Sequence, residues 1–167
     1  NHLFEGFATN SAFIWADLTT KSHAGFKQGR AWEMDNTDMI AIQKQVDGIE
    51  YLVPRISGGN MMSENNVVRG NRTGTYRVQG DYPQLTKVEP VKLSKGRFIN
   101  QLDIELRRKV CVIGPRVEEV LFSKGENAIG QYIRVSGIYY QVVGVTLVDS
   151  EMSFGYNKRE VVHLPFT

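Results

Sequence analysis

The sequence predicts an α+β fold: a split β-α-β-β-α-β lobe followed by a second, β-rich lobe with one helix. Three observations carry this reading. Short apolar runs suited to strands recur along the chain, separated by Gly-, Asn- and Ser-containing breaks. One helical period starts near Thr37, and a Gly-Pro pair opens another helix at Gly114. The proposed boundaries are 1–95 for the first lobe, 96–160 for the second with its helix near 115–123, and 161–167 for a closing strand.

Taken in order, residues 11–16 form the first expected strand, rich in bulky apolar side chains such as Phe13, Ile14 and Trp15. Residues 17–34 are loop-like. In the following helix Asp35 or Asn36 caps the first turn, Asp38 lies near the positive end of the dipole, and Met39, Ile42 and Val46 recur at helical spacing up to Gly48. A strand is expected over 49–56, pushed toward an edge or exit by Pro54. Residues 58–66 are loop by composition, and extended segments at 66–69 and 74–78 flank Gly70-Asn71. A short helix over 81–85, with Pro83 in its first turn, leads to a strand over 88–93. This order matches the split βαβ pattern, in which helices cover one face of an antiparallel sheet.

In the second half, 109–113 is a buried strand. Pro115 takes the first helical position, with Glu118 and Glu119 close behind and Val117, Val120 and Leu121 as the apolar stripe. Segments 131–135 and 138–145 flank Ser136-Gly137, a hairpin signal, and Gly144 marks a bulge or kink. A last short strand covers 161–164.

Composition excludes several classes. With 41% hydrophobic and 10% aromatic residues in 167, the chain is too apolar for a disordered tail. Its longest uncharged stretch, 135–148, falls short of the roughly 20 residues a spanning helix needs, and Gly137 and Gly144 interrupt it. Asn1 in place of a starting Met, with no basic-then-apolar leader, leads us to expect a domain excised from a longer chain. Charge is uneven: residues 84–116 carry eight basic and three acidic side chains, and 31–64 carry six acidic and two basic. Aromatics do not interleave with the basic residues as a single-strand-binding platform requires, so a solvated face is the reading and no nucleic acid is expected.

Chemistry-bearing motifs are sparse. His2, His23 and His163 do not fall at metal-ligand spacing, and the single Cys111 sits in the apolar run 110–113 as a small buried hydrophobe. Phosphate-binding loops, dinucleotide fingerprints and nucleophile elbows are missing from the sequence. Asp103 and Glu105 stand beside Arg107 and Arg108, where mutual ion pairing accounts for them. His163, between Val162 and Leu164, is read as pointing to the opposite face of its strand. The residues offer no catalytic, cofactor or metal constellation.

The order of the remaining marks resembles a known family. Val68-Arg69-Gly70, Tyr76-x-Val78 and Leu93-Ser94-Lys95-Gly96-Arg97-Phe98 with Asp103 are followed by Val112-Ile113-Gly114, Val117 and Leu121-Phe122. Then come Ile129-Gly130-Gln131-x-Ile133, Gly137, Val142-Val143-Gly144-Val145 and Leu164-Pro165-Phe166-Thr167. This series is similar to the extracytoplasmic core domain of MacB-type ABC transporter permeases (the MacB/FtsX-like superfamily), and Gly25-Phe26-Lys27, the helix from Thr37 and the 49–54 segment fit its opening part. Gly70, Tyr76, Gly96, Arg97, Phe98, Asp103, Gly114, Leu121, Phe122, Gly130, Gly144 and Pro165 are thereby fold-pattern positions, with no active-site role.

The resemblance implies a porter-like first lobe, a place between the first two transmembrane helices, and a closing strand that returns toward the membrane. It also implies a bacterial inner-membrane parent with this domain on the periplasmic side. No chemistry is implied in the domain itself, and no cofactor. ATP would be hydrolysed by a cytoplasmic ATPase domain or subunit. A second permease copy would complete a dimer, which transmits motion mechanically to export or extract a drug, peptide, toxin or lipoprotein. Some members work with a periplasmic adaptor and an outer-membrane channel.

Two other readings compete. A free-standing extracytoplasmic binding protein would hold a small ligand between its lobes, with Trp15 and Trp32 as stacking candidates, although core packing is the simpler role for both. A thiol hydrolase would use Cys111 with a histidine brought to it by the fold.

Overall fold

The computed structural model describes residues 10–22, 24–30, 34–57, 64–149, 152–153 and 156–167. The expectations placed on His2, His23, Trp32 and Gly58-Gly59 lie outside these residues. The described residues divide into two units, one within 10–52 and a larger one within Val53–Thr167.

In the smaller unit the helix starts as read but ends at Gln45, leaving Val46 extended and exposed rather than in an apolar stripe that runs to Gly48. α1 spans Asn36–Gln45 and starts in a capping box: the Asp35 side chain accepts from the Thr37 and Asp38 amides, and the Asp38 carboxylate accepts from the Asp35 amide. Residues 11–16 differ from expectation. They form no strand, and Phe13, Ile14 and Trp15 are exposed, Trp15 by 74%. An apolar run lacks strand structure when no neighbouring strand satisfies its backbone. Core packing therefore does not describe Trp15. One extended crossing does form, where the Thr19 amide donates to the Arg30 carbonyl and the Gly29 amide to the Thr19 carbonyl.

The larger unit is built on a mixed sheet of nine strands among the described residues. In chain order these are β1 (Ile56–Ser57), β2 (Val67–Arg69), β3 (Arg72–Gly74), β4 (Arg77–Asp81), β5 (Lys92–Gly96), β6 (Val110–Ile113), β7 (Tyr132–Val135), β8 (Ile138–Leu147) and β11 (Val161–Pro165). β9 (Met152–Ser153) and β10 (Tyr156–Asn157) pair separately. α2 (Leu85–Val88), α3 (Gln101–Glu105) and α4 (Pro115–Leu121) connect them. Helices with a mixed sheet make the α+β class of the sequence reading.

The sheet order is β1-β4-β11-β6-β8-β7-β2-β3, and β5 joins β8 beyond the end of β7. The chain's last strand thus lies in the interior, parallel to β4 and antiparallel to β6. β4 precedes residue 95, β5 (Lys92–Gly96) straddles it and β6, β8 and β11 follow it, so the sheet itself runs across the position where the sequence places a lobe boundary. Of the expected 49–56 strand only Ile56 lies in a strand, β1, and the 81–85 helix starts four residues later, at Leu85. Asp81 is instead the last residue of β4, where its carboxylate is buried against His163 and Arg55.

Local choices in the second half follow the sequence closely. α4 begins at Pro115 and buries Val117 and Leu121 completely, each worth about 2 kcal/mol by apolar burial. Ser136 and Gly137 both have positive φ, and the turn between them closes the β7–β8 hairpin with Val135 opposite Ile138. Val67, Val78, Cys111, Ile113, Leu121, Ile133, Val142, Val145 and Val162 form one core under the sheet.

Gly144 sits where β8 is bulged, opposed by Val112 on one side and Gly96 on the other. A Cβ on Gly144 would lie 2.1 Å from the Arg97 carbonyl oxygen, and one on Gly96 (φ +69°) 2.1 Å from the Val143 carbonyl oxygen. The two glycines let β5 close onto the bulge without a side chain between them.

Candidate functional site

Sequence patterning left β4 and β11 looking purely structural, yet the polar groups of the fold converge on them. Asp81 ends β4 with its carboxylate fully buried. His163 lies in the middle of β11, opposite Gln79, so it shares a sheet face with the position opposite Asp81. Its Nδ1 is 2.7 Å from Asp81 Oδ2, which makes Nδ1–H the donor to the ionised carboxylate. The edge of the Phe98 ring meets the imidazole, centroid to centroid 5.6 Å. His163 is therefore an inward, anchored side chain. Both faces of β11 are buried, so the expected alternation is lost there.

The other Asp81 oxygen accepts from Arg55 Nε at 2.7 Å. Arg55 Nη1 reaches Glu89 Oε2 at 2.9 Å and the Tyr156 hydroxyl at 3.3 Å, and Lys158 Nζ lies 2.9 Å from Glu89 Oε1. The Arg77 guanidinium stacks over the Tyr156 ring at 4.6 Å. Five segments thus meet in one chain of charges, His163–Asp81–Arg55–Glu89–Lys158. Within it Asp81 pairs with Arg55, and Glu89 with Arg55 and Lys158.

Burial by itself would raise the Asp81 pKa, but the hydrogen bond and charge of His163 and the Arg55 guanidinium outweigh it and hold the carboxyl below the usual carboxylate range. Arg55 loses hydration on burial, yet Asp81 and Glu89 keep it charged and raise its pKa. Burial, with the Glu89 charge, pushes the Tyr156 phenol up. Such a cluster is stable only while every member is present, because removing one leaves a buried charge without its partner.

Above the cluster lies a cleft of about 330 Å³. Arg55, Glu89, Tyr156, Lys158 and His163 form its polar floor; Val91, Leu147, Val148 and Val161 give it apolar walls; Lys92 and Asp149 make an ion pair at the rim. The Thr146 hydroxyl in its wall is buried.

The fold-pattern positions sit elsewhere, in structural roles. Arg97 holds Asp103 in a two-pronged ion pair (2.6 and 3.0 Å) and also donates to the Phe98 carbonyl oxygen. Asp103 and Asn100 form a capping box at the start of α3. Burial opposes ionisation of Asp103, but the Arg97 hydrogen bond, the Asn100 amide and the charges of Arg97 and Arg108 keep its pKa low. The ion pairing read from the sequence is thus right for Asp103 and Arg108 (3.8 Å), with Arg97 as the main partner, while Glu105 takes the Gln101 amide. Gly70 turns β2 into β3, and Tyr76 is buried with its backbone held by Asn66. Gly114 caps α4 against the Arg159 carbonyl. Leu121 and Phe122 are core, with the Arg69 guanidinium over the Phe122 ring. The Gly130 amide bonds the Val142 carbonyl, and Pro165 ends β11 opposite Asp81.

Cys111 is fully buried in β6, and burial pushes its thiol well above the ordinary value. That is the opposite of a nucleophile's environment, and it removes the footing of the thiol-hydrolase reading. Among the described residues no group of three or more His, Cys, Asp or Glu side chains is placed to hold a metal. No described helix is long and apolar enough to cross a membrane.

Fold and site together define an α+β domain whose polar groups are spent on holding strands. Residues 4–167 match the family described as the MacB-like periplasmic core domain, and the chain belongs to that family. It is 32% identical over 98 residues to the macrolide export ATP-binding/permease protein MacB of Wolinella succinogenes, covering 59% of this chain and 15% of that protein. It is 25% identical over 130 residues to the pyoverdine export ATP-binding/permease protein PvdT of Pseudomonas entomophila, covering 78% and 19%. The chain thus spans less than a fifth of the length of these relatives. Among solved structures, the periplasmic region of MacB from Actinobacillus actinomycetemcomitans superposes with a TM-score of 0.64 at 19% identity, covering 99% of this chain and 71% of that one. The extracellular domain of the noncanonic ABC-type transporter YknZ from Gram-positive bacteria gives 0.63 at 17%, covering 80% and 63%. These likenesses show a shared fold. The family is a transporter permease domain and not a catalytic one.

Arg55, Asp81, Glu89 and Lys158 escaped the sequence reading because they are far apart in the chain. One signal was available: a histidine inside the apolar run 161–165 needs a buried partner if both strand faces are covered.

Proposed function

We propose that this chain is the extracytoplasmic domain of an ABC exporter permease and works as a mechanical coupling element. Cytoplasmic ATP hydrolysis moves the transmembrane helices, the motion enters through the strand nearest the C-terminus, and the domain acts on an exported or extracted substrate outside the membrane. Family membership supports the placement. The observation that carries the mechanism is the seating of β11: it is buried along its whole length between β4 and β6, and clamped by His163 to Asp81 and through it to Arg55. Force on a strand so held passes to the whole sheet rather than peeling one edge. A second permease copy and, in the manner of some relatives, a periplasmic adaptor and outer-membrane channel are the partners this reading calls for.

The test uses the full-length transporter in proteoliposomes. Asp81→Asn, which keeps the shape of the clamp and removes its charge, should leave ATP hydrolysis in place while export falls at least about fivefold, a clamp loss of ~1 kcal/mol. A folded Asp81→Asn transporter that exports at the full rate would overturn the coupling role of the clamp.

A further inference from the structure

We propose that the cleft above the charge cluster is a binding site for a small zwitterion with an apolar body, an apolar amino acid or a dipeptide. The proposal goes beyond the transport reading and stands independently of it.

The floor decides the net charge of the occupant. Asp81 and Glu89 already pair with Arg55 and Lys158 through contacts of 2.7 to 2.9 Å. A ligand with one net charge would meet no unpaired counter-charge among these largely buried groups, and an uncompensated charge beside them is costly. An occupant neutral overall escapes that cost.

The rim decides how its charges are arranged. Lys92 on β5 and Asp149 beyond β8 form an ion pair with side chains 67% and 58% exposed. A pair this open to water adds little net stability, so separating it is cheap. Opened, it offers one ammonium and one carboxylate side by side at the mouth. A ligand carboxylate replaces Asp149 at Lys92 and a ligand ammonium replaces Lys92 at Asp149, so both rim charges stay paired.

Walls and volume decide the body. Val91, Leu147, Val148 and Val161 line the space between rim and floor. About 330 Å³ is at the lower end of ligand pockets, which span roughly 300–1,000 Å³, and suits an amino acid or dipeptide. The buried Thr146 hydroxyl in the wall has no hydrogen-bond partner among the described residues. A ligand amide or carboxylate at this wall would supply a partner that an apolar molecule cannot.

The test is calorimetric titration of this chain with leucine and leucyl-leucine, set against N-acetyl-leucine, leucine amide and N-acetyl-leucine amide. At least one of the two zwitterions should bind saturably, and the corresponding blocked forms at least about tenfold more weakly. Lys92→Ala and Asp149→Ala should each weaken zwitterion binding by about tenfold or more with the melting temperature unchanged, since both side chains are exposed. Thr146→Val should weaken it while keeping the shape of the wall. Absence of saturable binding by either zwitterion up to about 10 mM would overturn the proposal, as would equal affinity for the doubly blocked form. Undiminished binding by both rim variants would do the same.

Discussion

His163 and Asp81 face each other across two parallel neighbouring strands, Nδ1 to Oδ2 at 2.7 Å, with the carboxylate fully buried. Together they fix β11 beside β4. Because Asp81 also takes Arg55, loss of its carboxylate strands two groups at once. Asp81→Ala should therefore destabilise the domain by about 3–5 kcal/mol in urea unfolding, and His163→Ala by less, since Arg55 still satisfies one carboxylate oxygen. Equal stabilities of Asp81→Ala and the parent would show that the clamp bears no part of the fold.

Acid should act through the same group. The Asp81 and Asp103 carboxyls are both held below their ordinary range, Asp81 by His163 and Arg55, Asp103 by Arg97 and the Asn100 amide, in each case against burial. A lowered folded-state pKa gives stability that is complete above the unfolded value, about 4, and is lost as pH falls through the lower folded value. Chemical unfolding between about pH 5 and 2 should show this loss, and Asp81→Asn should flatten the profile at its acid end. A profile that steepens only above neutrality would contradict the assignment.

The bulge gives a comparison among glycines. Gly144→Ala puts a Cβ against the Arg97 carbonyl and Gly96→Ala against the Val143 carbonyl, both at 2.1 Å and both against backbone. Gly130→Ala meets nothing within 4 Å and carries only the strain of φ +86°. Gly130→Ala should cost about 1 kcal/mol, and each of the other two clearly more, read from melting curves of the three variants. Similar costs at all three positions would mean that β5 does not close on β8 as described.

Cys111 offers a probe of β6. Its buried, protonated thiol should stay unmodified by a thiol-specific disulfide reagent in native buffer and react at once in denaturant. Rapid native labelling would place β6 at the surface.

The Arg97–Asp103 pair tests the start of α3. Asp103→Ala removes both the ion pair and half of the capping box, and should cost about 2–4 kcal/mol; Arg97→Ala, whose side chain is 40% exposed, should cost less. Double-mutant analysis of the pair reads the coupling directly, and a value near zero would reduce the contact to a surface decoration.

Legibility of the chain divides by range of interaction. The Asp35 cap, the Pro115 start of α4, the Ser136-Gly137 turn and the Gly144 bulge were readable because each is decided within a few residues by φ preference, a missing amide or a local side-chain hydrogen bond. α3 was missed although Asn100 and Asp103 spell a capping box, because only five helical residues follow and no apolar period accompanies them. Residues 11–16 misled in the other direction, since bulky apolar composition favours a strand only where a neighbouring strand is present.

By itself, then, the sequence determined the α+β class, the start of α4, the β7–β8 turn and the β8 bulge, and the family to which the chain belongs. Tertiary structure alone decided that β11 lies inside the sheet, and that Arg55, Asp81, Glu89, Lys158 and His163 meet beneath a cleft. The physical reason is that local conformation follows from near neighbours in the chain. A buried charge network depends instead on which distant strands pair, and parallel pairing of β4 with β11, whose partners such as Arg77 and Val161 are 84 residues apart in the sequence, leaves no periodic mark on either segment.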